Sequence, residues 1–197
     1  MSYVEAPVFA HPRASKPVSR TLSNSAPDDL CVDAYQSELD YLMRTLQRLG
    51  VAPFDLEDVA HEVFLVLRRA WTGYDPARAF RPYLFGIAFR VAASYKRRHW
   101  RELPFAFVDE ADPAQGPDQT LDARRARSLV LAGLQRIPLP RRTVLVMYDL
   151  DEIPLKEVAA TLSIPLFTAY SRLRKARREL ESAIKRLQAG REQGARR

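Results

Sequence analysis

The stretch IPLKEVAATLSIPLFTAYSRLRKARR, Ile153 to Arg178, decides how the chain is read. Leu155, Val158, Ala159 and Leu162 recur at helical spacing and predict a short amphipathic helix. Ser163-Ile164-Pro165 ends it, because proline has no amide hydrogen to donate and is tolerated only in a turn or a first helical turn. A second helix follows, with Leu166, Ala169, Leu173, Ala176, Leu180 and Ile184 along one side. The opposite side carries Phe167, Thr168, Ser171, Arg174, Lys175 and Arg178. Two helices across a tight turn, the second presenting cations and hydroxyls outward, form a helix-turn-helix whose second helix fits a DNA major groove.

Five of the eight residues from Ser171 to Arg178 are basic, with no acid among them to pair with. A solvated basic face is the plain alternative. Like charges crowded on a helix repel, however, and a polyanion relieves that cost, so the reading favours DNA.

At 197 residues the chain holds one large domain or two small ones, with enough length to bury a core. A net charge of +7 points to an anionic partner, either nucleic acid or a membrane surface. No apolar run approaches a membrane span, so no membrane insertion is expected, and the N-terminus has no signal-peptide core. Cys31 is the sole cysteine, which excludes an internal disulfide and a Cys-rich zinc site. A cytoplasmic protein is expected. Glycines number seven, few for a turn-rich β fold, while Leu, Ala and Arg are plentiful. The expected class is all-α: two small helical domains joined by a flexible linker, the second a helix-turn-helix.

Along the chain, 1–27 reads as a disordered leader, rich in Pro and Ser without an apolar period. The first domain is expected over 28–101. Leu39, Leu42, Met43, Leu46 and Leu49 share one face, and Gly50 stops that helix as a C-terminal cap. From Asp55 to Trp71 the buried stripe is Leu56, Val59, Ala60, Val63, Phe64 and Leu67. Asp55 reads as an N-cap and Asp58 as its capping-box partner. Asp55, Asp58 and Glu62 form an acidic edge, with Leu65 exposed beside it. Capping and helix-dipole complementarity explain the first two acids, and a docking face for a basic protein explains all three. Both readings stand on the residues alone. No glycine-rich loop, nucleophile motif or ligand cluster accompanies the acids, and His11, His61 and His99 are scattered, so no catalytic, metal or cofactor site is expected.

A helix from about Phe80 interleaves aromatics with cations and ends in Tyr95-Lys96-Arg97-Arg98-His99-Trp100-Arg101, a pattern suited to nucleic acid, where bases stack on rings and phosphates meet cations. Core packing claims the aromatics that share a face with Leu84 and Ile87, and the terminal basic cluster is read as phosphate contacts. Residues 102–120, acidic and broken by prolines and glycine, read as the linker. The second domain is expected over 121–187. In it a helix carries Ala126, Leu129, Val130 and Leu134 on its buried face, Ile137-Pro138-Leu139-Pro140 breaks it, and another helix runs from Arg141 to Leu150. The tail, 188–197, is expected to fray.

With both halves in view, the chain resembles the extracytoplasmic-function (ECF) group of sigma-70 RNA polymerase sigma factors. DLEDVAHEVFLVLRRAW, Asp55 to Trp71, is similar to that family's region 2.2, commonly D-x-x-D-x-x-Q-E-x-F, with His61 where glutamine is usual. FRPYLFGIAFRVAASYKRR, Phe80 to Arg98, resembles regions 2.3 and 2.4, with Tyr83 in place of tryptophan and Arg90 in place of asparagine. Leu134 to Arg177 resembles region 4, with Phe167 where a glycine is common.

The resemblance implies a promoter-specificity subunit that directs core RNA polymerase to promoter DNA, helps melt it, and catalyses nothing itself. It implies core-polymerase contacts at Asp55, Asp58, His61, Glu62, Phe64 and Leu65. It implies minus-ten contacts at Arg81, Tyr83, Arg90, Lys96, Arg97 and Arg98. Minus-thirty-five contacts would fall on Phe167, Thr168, Tyr170, Ser171, Arg172, Arg174, Lys175, Arg177 and Arg178, with Arg141, Arg142, Arg172 and Arg177 assigned to phosphates. Such factors are often held inactive by an anti-sigma factor. The rival reading is a free-standing helix-turn-helix regulator, which leaves the acidic edge and the aromatic-basic helix without a role.

Overall fold

The computed structural model describes residues 27–99 and 121–195. The leader before Pro27 and the expected linker lie outside the described residues, as do Trp100 and Arg101. Among the described residues the regular structure is entirely helical.

The front half contains α1 (Pro27–Ser37), α2 (Leu39–Leu49), α3 (Leu56–Ala70) and α4 (Phe80–His99). What reads in sequence as one helix before Gly50 breaks at Glu38 into α1 and α2. Gly50 ends α2 at φ +95°, and the Gly50 and Val51 amides donate back to Gln47 O and Leu46 O, closing a Schellman cap. A Cβ there would meet the side chains of Gln135, Arg142 and Lys96, so glycine is required for space as well as for φ. Leu42, Leu46, Val63, Leu67, Leu84, Phe85 and Ala88 interlock as the core of this half.

Asp55 occupies the N-cap position of α3, yet its carboxylate makes no cap hydrogen bond. It accepts from the Tyr95 hydroxyl at 2.5 Å instead. The expected capping box is therefore replaced by a tie from α3 to α4, because the preceding 3₁₀ turn Pro53–Asp55 holds Asp55 in a helical conformation.

The rear half contains α5 (Leu121–Gln135), α6 (Leu139–Leu145), α7 (Leu155–Thr161) and α8 (Leu166–Ala195). Beyond α6 the coil widens into one π turn, Val146–Leu150. Glu152 then takes φ +55° before α7. Val144 to Met147, Ile153, Leu155 and Val158 pack under α8 through Ala169, Leu173 and Ala176. Two details of α8 differ from the sequence reading. Leu166 is exposed, being in the first turn ahead of the packed stripe, and Ala183 joins the buried side. The helix also continues to Ala195, past the point where the sequence reads a fraying tail.

The halves pack against each other, α2 on α5 and α6, and α4 on α7, within one continuous buried cluster. Arg142 and Gln135 from the rear donate to the last carbonyls of α2, Leu49 O at 2.8 Å and Gln47 O at 3.0 Å. Leu49 O is among the acceptors a helix C-terminus leaves unpaired, and a cation there also complements the helix dipole. Asp151, with its side chain 5% exposed, accepts from Tyr41 Oη and Arg48 Nη1, both at 2.8 Å. Burial pushes the Asp151 carboxyl up, and Arg48 and the Tyr41 hydrogen bond oppose that rise.

Candidate nucleic-acid interface

The helix-turn-helix is α7, a turn and α8. The turn is a second Schellman cap: Ile164 N donates to Ala159 O and Ser163 N to Ala160 O, with Ser163 at φ +52°. Ile164 packs on the core, which fixes the direction in which α8 leaves. The apolar side of α8 is buried on α5, α6 and α7, so its other side faces solvent.

That outer side begins with Phe167, 83% exposed, and Tyr170, 59% exposed. Thr168, Ser171 and Arg172 are half-buried, while Arg174, Lys175 and Arg178 are exposed. Among the described residues, none of Arg172, Arg174, Lys175 and Arg178 forms an ion pair. Four cations therefore remain available to an anion.

The other expected cations are committed within the fold. Arg177 forks onto Asp149 at 2.5 and 3.0 Å and lies over the Tyr148 ring. The hydrogen bonds that Arg177 donates to Asp149 raise the Arg177 pKa. Arg141 pairs with Glu179 at 2.8 Å. Arg142 is 1% exposed and donates to the carbonyls of Leu49, Gln135 and Ile137. The phosphate role read for Arg142 is therefore corrected: it is a buried tie. The acid partner of Arg177 also qualifies the statement that the basic run is unpaired, because the π turn aims Asp149 at α8 from outside that run.

In the front half, α4 places its cations on different surfaces. Arg81 pairs with Glu38 at 2.8 Å and lies over the Tyr41 ring. Tyr83 packs with Tyr74, ring centroids 4.9 Å apart, and donates to Ala70 O. Arg90 donates back to Gly86 O of its own helix, at the seam where Gly86 meets Thr161 of α7. Lys96 is half-buried beside Arg142, and burial first, then that neighbouring charge, lowers its pKa to about 8. Arg97 is exposed. Phe85 and Tyr95 are core, so the aromatic-cation interleaving of α4 divides into buried rings and peripheral cations.

The acidic edge on α3 is partly self-paired. Arg98 Nη2 lies 3.0 Å from both Glu62 oxygens, so an expected DNA cation and an expected docking acid hold each other. Asp55 is engaged by Tyr95, whose pKa is raised to about 12 by burial first and then by this hydrogen bond. Asp58, His61 and Leu65 are exposed, and Phe64 is half-buried against Tyr35 at 4.9 Å. Phe54, 73% exposed next to Asp55, adds an apolar side chain here that the sequence reading passed over. Its signal was available: a phenylalanine one residue after a proline, outside any apolar period.

The sequence pattern of Sigma-70 region 2 matches residues 34–102, and that of Sigma-70 region 4 matches residues 127–180. The ECF RNA polymerase sigma-E factor of Escherichia coli (strain K12) is 26% identical over 170 residues, covering 81% of this chain and 87% of the relative. The ECF RNA polymerase sigma factor SigE of Mycolicibacterium smegmatis is 28% identical over 149 residues, 74% of this chain and 58% of that one. Among solved structures, the sigma factor RpoE bound to the anti-sigma factor NepR from Bartonella quintana superposes with a TM-score of 0.61 at 17% identity, over 80% of this chain and 95% of that one. CnrH in complex with the cytosolic domain of CnrY gives 0.56 at 20%, over 81% and 98%. With two regions matched in order and an all-helical fold shared, the chain belongs to the extracytoplasmic-function subfamily of sigma-70 factors.

Proposed function

We propose that this chain is a transcription-initiation factor of the cytoplasm, which binds core RNA polymerase through its front half and promoter DNA through both halves. It performs no chemistry of its own. The observation that carries the reading is the row of unpaired cations along the outer face of α8, behind a region 2 module that a free-standing regulator has no need of. In this reading Asp58, His61, Phe64 and Leu65, flanked by Asp55 and Glu62, meet the polymerase. Arg81, Tyr83, Arg90, Lys96, Arg97 and Arg98 serve the minus-ten element. Phe167, Thr168, Tyr170, Ser171, Arg172, Arg174, Lys175 and Arg178 serve the minus-thirty-five element, with Arg177 held against Asp149 at its edge. Two structures similar in fold hold a protein partner, the cytosolic domain of CnrY on CnrH and the anti-sigma factor NepR on RpoE, and an anti-sigma factor is proposed here by analogy with the second.

The test is run-off transcription from genomic fragments with purified core polymerase. Initiation that requires this chain supports the reading. Sequence-specific binding by the chain alone, with no effect on the polymerase, overturns it in favour of a free-standing regulator.

A further inference from the structure

A phenylalanine that is 83% exposed at the start of a helix is solvated at a cost that its own fold does not repay. Phe167 shares the outer line of α8 with Ser171, Arg174 and Arg178, at spacings of four, seven and eleven residues. Tyr170 flanks it on one side and Lys175 on the other. The cleft between the starts of α6 and α8 is lined by Pro138, Pro140, Arg141, Phe167, Ser171 and Lys175. An apolar tip at the leading end of a helix, bordered by hydroxyls and unpaired cations, is complementary to one feature of double-stranded DNA. Only thymine presents a methyl group in the major groove, and phenylalanine meets that methyl by apolar contact. The N-terminal residues of a recognition helix are the ones that reach base edges.

We infer that Phe167 is a base-specificity residue that packs on the 5-methyl group of one thymine in the upstream promoter element, while Arg174, Lys175 and Arg178 hold the flanking bases and phosphates. The inference rests on the promoter reading above and adds to it a chemical identity for one base.

The test uses the full chain with core polymerase and a promoter library randomised in the upstream element. Selection for transcripts by the natural chain is expected to enrich a thymine at one position, and Phe167→Gly is expected to lose that enrichment while keeping the others. Replacing that thymine by deoxyuridine deletes one methyl and nothing else. Burial of one such group corresponds to about a fourfold change in affinity, so the natural holoenzyme should bind the deoxyuridine promoter about fourfold more weakly. Phe167→Gly should not distinguish the two, and Phe167→Leu should retain part of the difference. Equal binding of thymine and deoxyuridine promoters by the natural protein, a comparison that involves no variant, overturns the inference. So does an unchanged thymine preference in Phe167→Gly. Enrichment of no sequence at all by the natural chain overturns the promoter reading and this inference with it.

Discussion

Replacing Arg142 with leucine removes a buried side chain that ties the front half to the rear. Its guanidinium donates to Leu49 O at 2.8 Å, Gln135 O at 2.9 Å and Ile137 O at 2.9 Å, and to the Gln135 amide oxygen at 2.5 Å. Leucine leaves two buried backbone carbonyls, Leu49 O and Ile137 O, and the part-buried Gln135 O without that donor, at about 1–3 kcal/mol for each buried one. Burial of the charge is itself unfavourable, and it holds the Arg142 pKa down to about 10, so an apolar side chain recovers part of the loss. The net destabilisation expected is about 2–4 kcal/mol. With a urea m-value of about 2 kcal/mol/M, the unfolding midpoint followed by helical circular dichroism should fall by about 1–2 M. Arg142→Lys is expected to restore less than half of this, because one ammonium on a single stem cannot reach carbonyls of α2 and α5 together. A leucine variant whose midpoint stays within about 0.3 M of the natural protein would refute the reasoning: the burial cost would then cancel the bonds.

Lys96 should make stability depend on pH. Its folded pKa of about 8 lies below the ordinary 10.5, so below pH 8 both states are charged and the full burial cost applies. Between those values the folded chain releases its proton first, and stability rises with pH. At higher pH the raised pKa values of Tyr41 and Tyr95 reverse the trend. Thermal melts across this range should show the rise in the natural protein and a flatter profile in Lys96→Met, which is expected to be the more stable of the two at neutral pH; parallel profiles would exclude Lys96 as the source. Asp58→Ala with Glu62→Ala should weaken capture of core polymerase while leaving the melting temperature within a few degrees, since both acids lie outside the core; unchanged capture in a pull-down would reject the α3 edge as the docking face. Arg174→Ala or Lys175→Ala should lose about 1–3 kcal/mol of discrimination at the upstream element. A uniform loss across all promoter sequences, with a shallower salt slope, would assign the residue to phosphate instead.

The helix-turn-helix was legible because its signals are local. Apolar spacing in α7, a proline-bearing turn and a stripe opposite a cationic face all lie within 26 residues, Ile153 to Arg178. Gly50 was legible for the same reason, since an αL cap is a requirement on one residue and its immediate neighbours. The acidic edge was found by the same local reading, but its state was not. Glu62 and Arg98 stand 36 positions apart, and Asp55 and Tyr95 stand 40 apart. Helical periodicity places each on a face and says nothing of which face it meets.

Arg142 and Arg174 make the limit plain. Both are arginines with a second basic residue beside them, and from sequence both suit a polyanion. One lies in the short helix α6, which closes against the end of α2, where the Leu49 carbonyl takes its donor; the other is exposed on the outer line of α8, with no ion pair among the described residues. The difference is created by a helix terminus nearly a hundred residues away, Leu49 O, 93 positions from Arg142. The same holds for Asp149 and Asp151, whose spacing puts them on opposite sides of one turn without saying what either side meets. Asp149, in the π turn, meets Arg177 on α8, and Asp151, just past its end, meets Arg48 on α2. Of the eight cations from Arg141 to Arg178 in this half, the fold takes Arg141, Arg142 and Arg177 for itself and leaves the outer line of α8 to an external anion. Charge counting therefore locates the DNA-binding half of such a chain, but only the packing of its helix ends separates the cations that hold the protein together from those that can read a promoter.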